Sequence, residues 1–294
     1  TSTEDPLQYF PVADIDPDIP AIGMLHGDLF DAKSPYCPVT RPDFERINIP
    51  LWILGHIHKP SSESELEASP RLLYPGSPQG LHPKETGPHG PWLITYSGDQ
   101  PNIEQLPMAP IRYQPLTLQL QDAATEMDVL QALTTEITTC ARAMKQEQPE
   151  LRGVSLRLEI TGQCDVAEHD ICNAVKELQE CIPSVDDMEL LIDDFIVLTL
   201  PKLDLSEKAK DPDPLGIAAK LYLELDGTLE EQEPTRKLLA KTKVRLTEHH
   251  SRYSSLTADS ERHPAPDAQL CRTYLIQQVS RLIDHLWRTQ QVST

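Results

Sequence analysis

Two short apolar runs in this chain each close on an imidazole, and that pairing constrains the fold more than any other feature. Ala21-Ile-Gly-Met-Leu25 runs into His26-Gly27, and Leu51-Trp-Ile-Leu54 runs into Gly55-His-Ile-His58. Short apolar runs bounded by turn residues read as buried strands, which predicts strands over 21–25 and 51–54. Side chains two apart on extended backbone share a side, so His56 and His58 can face one point. His26 leaves its strand end in the same fashion. Imidazoles gathered in this way form the geometry of a metal site, and they favour zinc, iron or manganese over magnesium. His26, His56 and His58 are therefore the candidate metal ligands. A single histidine at a strand end is usually a satisfied polar group; the combined pattern is much harder to reach by accident.

At 294 residues the chain can bury a sizeable core, and at about 100–200 residues per domain it should hold two domains or more. No apolar run approaches the roughly 18 residues of a membrane span, and no signal segment opens the chain, so a soluble, cytoplasmic protein is expected. The six cysteines include no C-x-x-C pair, which suggests reduced structural thiols rather than a zinc cage or a disulfide scaffold. A formal charge of −20 repels phosphate backbones at long range. Any nucleic-acid role must then use bound cations, local basic residues or a basic partner. The first residue is Thr1, not Met, which suggests a processed or partial chain.

Residues 1–110 are rich in Gly, Pro and His, with further apolar runs over 71–75 and 92–96 joined by turn segments such as Tyr74-Pro-Gly-Ser-Pro-Gln-Gly80. From Leu116 the pattern changes. Leu116, Leu118 and Leu120 alternate, Met127, Leu130, Leu133, Ile137, Ala141 and Met144 recur at helical spacing, and Val154 to Ile160 alternate again. A second helix over Ile171, Val175 and Leu178 and a strand over 189–200 complete a small α+β domain, 111–204, with a half-ferredoxin character. Residues 205–294 read as a helical tail, with Leu270, Tyr274, Leu282 and Leu286 as the stripe of the last helix and Val279 and Ile283 close beside it. The expected class is α+β.

Several polar residues lie near the proposed metals. Lys59 and Lys84 are the nearest basic side chains and are candidates for phosphate contact. His82 and His89, in loops after Pro75-Gly76, are candidates for the same role, against the plainer reading of solvated loop histidines. Ser77 and Gln79 could shape the site through the tight turn. Asp14, Asp16 and Asp18 lack a strand-end setting, and His249 and His250 at a helix end need no function. Arg142, Lys145, Arg152 and Arg157 read best as a solvated face.

His26-Gly27, Gly55-His-Ile-His58 and Tyr74-Pro-Gly-Ser-Pro-Gln79 resemble the C-terminal half of a calcineurin-like metallophosphoesterase, more narrowly the DNA repair exonucleases of the SbcD/YhaO type. Asp43-Phe44, Glu85 and Gly87 to Gly90 extend the resemblance, which covers about 7–96 well. It runs more loosely over 111–200, where Arg152-Gly-Val-Ser-Leu-Arg157 and Gly162 are similar to that family's capping domain. The resemblance implies a partial β-sandwich, a capping domain that positions DNA, and a tail that binds an ATPase partner of the SbcC type. A homodimer stays open. It also implies two divalent metal ions, manganese ahead of zinc or iron, with His26 and His56 on one ion and His58 on the other.

That family's D-x-H, G-D-x-x-D and G-N-H-D motifs should precede His26, and they do not occur before it here. Gly27-Asp28-Leu-Phe-Asp31 matches G-D-x-x-D in form, but no G-N-H-D follows it before Gly55. Asp28 and Asp31 are therefore read as loop or cap residues near the site. The expected function is metal-dependent phosphodiester hydrolysis on DNA, weak or absent in this chain alone. A non-catalytic binding subunit and a phosphoesterase for a small nucleotide or phosphoprotein are the rivals.

Overall fold

The computed structural model describes residues 7, 10, 19–31, 34–47, 49–98, 100–254 and 267–292. Asp14, Asp16 and Asp18 lie outside the described residues, as do the side chains of His249 and His250. The architecture is mixed α and β. The chain divides into two compact units, one of Thr1–Pro115, Thr139–Arg157 and Pro183–Asp193, the other of Leu116–Thr138, Leu158–Ile182 and Asp194–Thr294.

In the first unit, β1 (Ile22–His26), β2 (Leu51–Gly55) and β3 (Arg71–Leu73) form a parallel sheet in that order, with Gly23 opposite Trp52 and His26 opposite Gly55. Parallel strands covered on both faces read as unbroken apolar runs, which is why 51–54 shows no alternation. On one face, Trp52 and Leu54 join Phe44, Ile47, Ile49, Leu72 and Tyr74 in a buried cluster. The rings of Phe10 and Phe44 meet Trp52 edge-on at 5.4 and 5.1 Å. On the other face, Leu51, Leu66 and Leu73 take Trp92, Ile94 and Ile103 from the antiparallel hairpin of β4 (Trp92–Ser97) and β5 (Gln100–Gln105).

Two of these elements escape sequence reading. β5 is polar apart from Pro101 and Ile103, and its pairing with β4, Ile94 opposite Ile103, makes it a strand. The short α1 (Arg41–Glu45) begins where Asp43 accepts from the Thr40 N–H and hydroxyl, and it exists to seat Phe44 in the core. The run over 71–75 is strand only to Leu73.

The boundary between the units passes through the next elements, β6 (Ile111–Gln119), α2 (Glu126–Glu147), β7 (Gly153–Thr161) and β8 (Glu189–Val197); α3 (Glu168–Cys181) lies in the second unit. The strands form a sheet in the order β6-β7-β8. Val154, Leu156, Leu158 and Ile160 are buried as their alternation predicts. On α2 the buried stripe is Val129, Leu133, Ile137, Ala141 and Met144, while Met127, expected to join it, is 70% exposed.

The second unit ends in helices α4 (Leu205–Lys208), α5 (Pro214–Leu225), α6 (Glu233–Ser254) and α7 (Ala268–Val292). Asp213 caps α5 by accepting from the Gly216 N–H at 2.7 Å, with Pro214 in the first turn where a missing N–H costs nothing. Buried Glu224 accepts from the Gln232 N–H and the Thr235 hydroxyl, tying α5 to the start of α6. The apolar stripe expected on the last helix holds in part: Leu286, and Val279 and Ile283 beside the stripe, join the helical core. Leu275, Val279 and Ile283 pack against α5, while Leu270, Tyr274 and Leu282 are about half exposed. Several apolar positions compete on this helix, and the contact with α5 selects the face. No helix among the described residues is long and apolar enough to cross a membrane.

Candidate functional site

Parallel pairing brings the C-terminal ends of β1 and β2 out on one edge of the sheet, the place where open parallel sheets hold their ligands. His26 ends β1 opposite Gly55, and His56 follows directly. The two imidazoles meet edge-on with ring centroids 5.7 Å apart. Gly55 makes that approach available, because a Cβ at this position would stand 2.6 Å from His26 Nδ1. His56 itself sits at φ +105°, outside the conformations a side-chain-bearing residue prefers, a strain of about 1–3 kcal/mol of the kind that collects at functional sites. Tyr36 holds the ring from one side, centroids 5.0 Å apart. Asp28 Oδ2 faces its Nε2 at 3.6 Å, beyond hydrogen-bond distance.

Asp28 is a buried brace in the loop after β1. Its Oδ1 accepts from the N–H groups of Phe30 and Asp31, and its backbone exchanges hydrogen bonds with Cys37 and Val39. The sequence expectation of a loop residue near the site describes its contacts. The buried Tyr74 hydroxyl anchors the same loop: it donates to the Gly27 carbonyl at 2.7 Å and accepts from the Leu29 N–H at 3.0 Å. Burial pushes its pKa up to about 12. Tyr74→Phe would leave two backbone groups unpaired, one of them in the interior, so it should cost about 2–3 kcal/mol. Urea denaturation checks this, and a loss under about 0.5 kcal/mol would show that the hydroxyl does not hold the loop.

Around the second imidazole, His58, the chain builds a tight turn. The Ser77 N–H donates to the His58 carbonyl at 2.8 Å, and the Ser77 hydroxyl donates to Glu85 Oε2 at 3.0 Å. Glu85 Oε2 also accepts from the Leu81 N–H, and Oε1 lies 3.2 Å from His58 Nδ1. Burial pushes the Glu85 carboxyl up, but the Leu81 N–H, the Ser77 hydroxyl and His58 together outweigh it and hold the group below the usual carboxylate range.

The remaining sequence candidates are placed as follows. His89 is 1% exposed, with Nδ1 2.8 Å from the Ser77 carbonyl and Nε2 3.2 Å from the Glu85 carbonyl; the neutral ring donates to one of the two and braces the turn from inside. Gln79 is tied to the backbone of Ile111 through both ends of its amide. His82 accepts from the Lys84 N–H, in an exposed turn. Lys59 borders a smaller cleft with Phe30, Ser62 and Tyr74. His26, His56, His58 and Ser77 line one open cleft of about 570 Å³. Tyr36, Tyr74 and Glu85 had no assigned role in the sequence reading; the Tyr-Pro-Gly turn and the acid after it were the only signals for two of them.

The donor chemistry, two touching imidazoles beside a carboxylate with one oxygen uncommitted to its loop, suits a divalent transition ion. Among the described residues, however, no group of three or more His, Cys, Asp and Glu side chains is gathered as a complete shell. The residues present fit part of a metal site.

No family model matches the chain. Over 76 residues it is 45% identical to an uncharacterized metallophosphoesterase, YhaO, of Bacillus subtilis (strain 168); the match takes in 25% of this chain and 18% of that relative. The chain thus matches less than a fifth of the relative's length.

Proposed function

We propose that this chain carries part of a divalent-metal centre for phosphoester hydrolysis, with DNA phosphodiesters as substrate. The observation that supports it best is the contact of His26 with His56 at adjacent parallel strand ends, in a chain that shares 45% identity over 76 residues with a metallophosphoesterase. His26 and His56 would serve one ion and His58 a second. Bound there, two such ions would supply charge neutralisation for the phosphate and the leaving oxygen and would orient the attacking water. Manganese is the first choice, ahead of zinc and iron.

The chain's own part is to present these imidazoles. The parallel register sets His26 beside His56, Gly55 leaves room for the ring, and the Tyr74 hydroxyl holds the loop between them and Asp28. The remaining donors belong to the D-x-H, G-D-x-x-D and G-N-H-D motifs, which do not precede His26 in this sequence. The 294 residues alone are therefore expected to hydrolyse weakly or not at all. In the same reading, 1–110 form part of a β-sandwich, 111–204 position DNA, and 205–294 engage an ATPase partner of the SbcC type or a second copy, in the cytoplasm. A second reading, a non-catalytic binding subunit, is favoured by the lack of a complete three-donor group among the described residues.

The test is manganese-dependent cleavage of linear duplex DNA by the protein, with metal content measured in parallel. About two transition ions per chain are expected, with cleavage falling at least about 100-fold in His56→Ala. Cleavage unchanged in His56→Ala would overturn the assignment. Absence of both metal and cleavage would establish the binding subunit instead.

A further inference from the structure

We infer that Glu85 is a positioning residue that fixes the proton of His58 on Nδ1 and leaves the lone pair on Nε2 to take a divalent cation. The geometry has three parts. Glu85 Oε2 is already committed to two donors, the Leu81 N–H and the Ser77 hydroxyl, both at 3.0 Å. That leaves Oε1 facing His58 Nδ1 at 3.2 Å. An ionised carboxylate has only acceptors to offer, so the ring nitrogen must be the donor. A glutamate carboxyl is ordinarily ionised at neutral pH.

The other nitrogen of His58 then carries the lone pair, and the side chain is 69% exposed, within reach of a ligand. The hydrogen bond at one ring nitrogen decides which tautomer the other presents, and a carboxylate behind a histidine is the usual means of making it a better metal ligand. In water, neutral histidine keeps its proton mainly on Nε2. Glu85 therefore inverts the intrinsic preference. The residues around it make the inversion rigid: the Ser77 N–H holds the His58 carbonyl, and the buried His89 places its Nδ1 2.8 Å from the Ser77 carbonyl. The dyad joins residues 27 positions apart. Only the cation rests on the function proposed above; the tautomer stands on the contacts.

Long-range proton–nitrogen NMR of the uniformly labelled chain at pH 8 reads the tautomer directly. Wild-type His58 should show a protonated Nδ1 and an unprotonated Nε2. Glu85→Gln supplies one acceptor oxygen and one NH2 group in place of two oxygens. With the oxygen kept on the Leu81 and Ser77 side, the amide NH2 faces Nδ1 and the proton should move to Nε2. A structural role alone would not change the tautomer. The amide spectrum reports whether the variant is folded, and the wild-type measurement needs no variant at all. A wild-type Nε2–H tautomer, or one unchanged in folded Glu85→Gln, overturns the inference.

Zinc titration followed by the same spectra separates the two layers. Zinc should perturb Nε2 of His58, with affinity about 10–100-fold weaker in Glu85→Gln. An Nδ1–H tautomer with no zinc response at His58 would leave the positioning intact and remove the metal role.

Discussion

Gly23→Ala should cost about 3 kcal/mol or more, the upper end of what overpacking a core exacts. A Cβ on Gly23 would stand 2.2 Å from Trp52 Cε3 and 2.3 Å from Cδ2. Gly23 pairs with Trp52 across β1 and β2, and the indole is wholly buried between Phe10 and Phe44, so it has nowhere to retreat. The effect is steric. Urea denaturation followed by far-UV circular dichroism measures it. Trp52→Leu opens the space, so the double variant should lose at least about 1 kcal/mol less than the sum of the single losses, as coupled neighbours do. A cost below about 1 kcal/mol for Gly23→Ala would show that the two residues do not pack as described.

Gly55→Ala should have the opposite profile, with little change in stability and a large change at the site. The added methyl would collide with His26 Nδ1 at 2.6 Å, but His26 is exposed and its ring can swing away. Stability should therefore move by less than about 1 kcal/mol, in the range of ordinary surface changes. The His26–His56 ring contact should be lost, visible as a missing nuclear Overhauser effect. If the two imidazoles serve one ion, the protein's divalent-cation affinity should fall about 10–100-fold. Unchanged affinity would show that the contact does not serve a metal. Together the two glycines separate the core of the sheet from its functional edge.

The fold was partly legible because local patterns carry burial. The run Leu51 to Leu54 predicted a buried strand because parallel strands are covered on both faces, and both faces of β2 are covered. The alternation of Val154 to Ile160 was equally direct. β5 was illegible because its polar side chains say nothing of the β4 backbone that pairs with it. On α7 the face was legible only in part: Leu286, Val279 and Ile283 join the helical core, whereas Leu270, Tyr274 and Leu282 are about half exposed, because several apolar positions compete and the contact with α5 selects among them.

The sequence by itself determined the imidazoles at two strand ends, the glycine between them and the turn that follows, because strand breaks and turn chemistry are properties of neighbouring residues. Only the tertiary structure decided which groups meet. Tyr74 reaches Gly27 across 47 positions, and Glu85 reaches His58 across 27. Contacts at that separation depend on parallel register and loop path, which no periodicity encodes. The same reason explains why three histidines that look equivalent in sequence divide in space, two in ring contact and the third backed by a carboxylate.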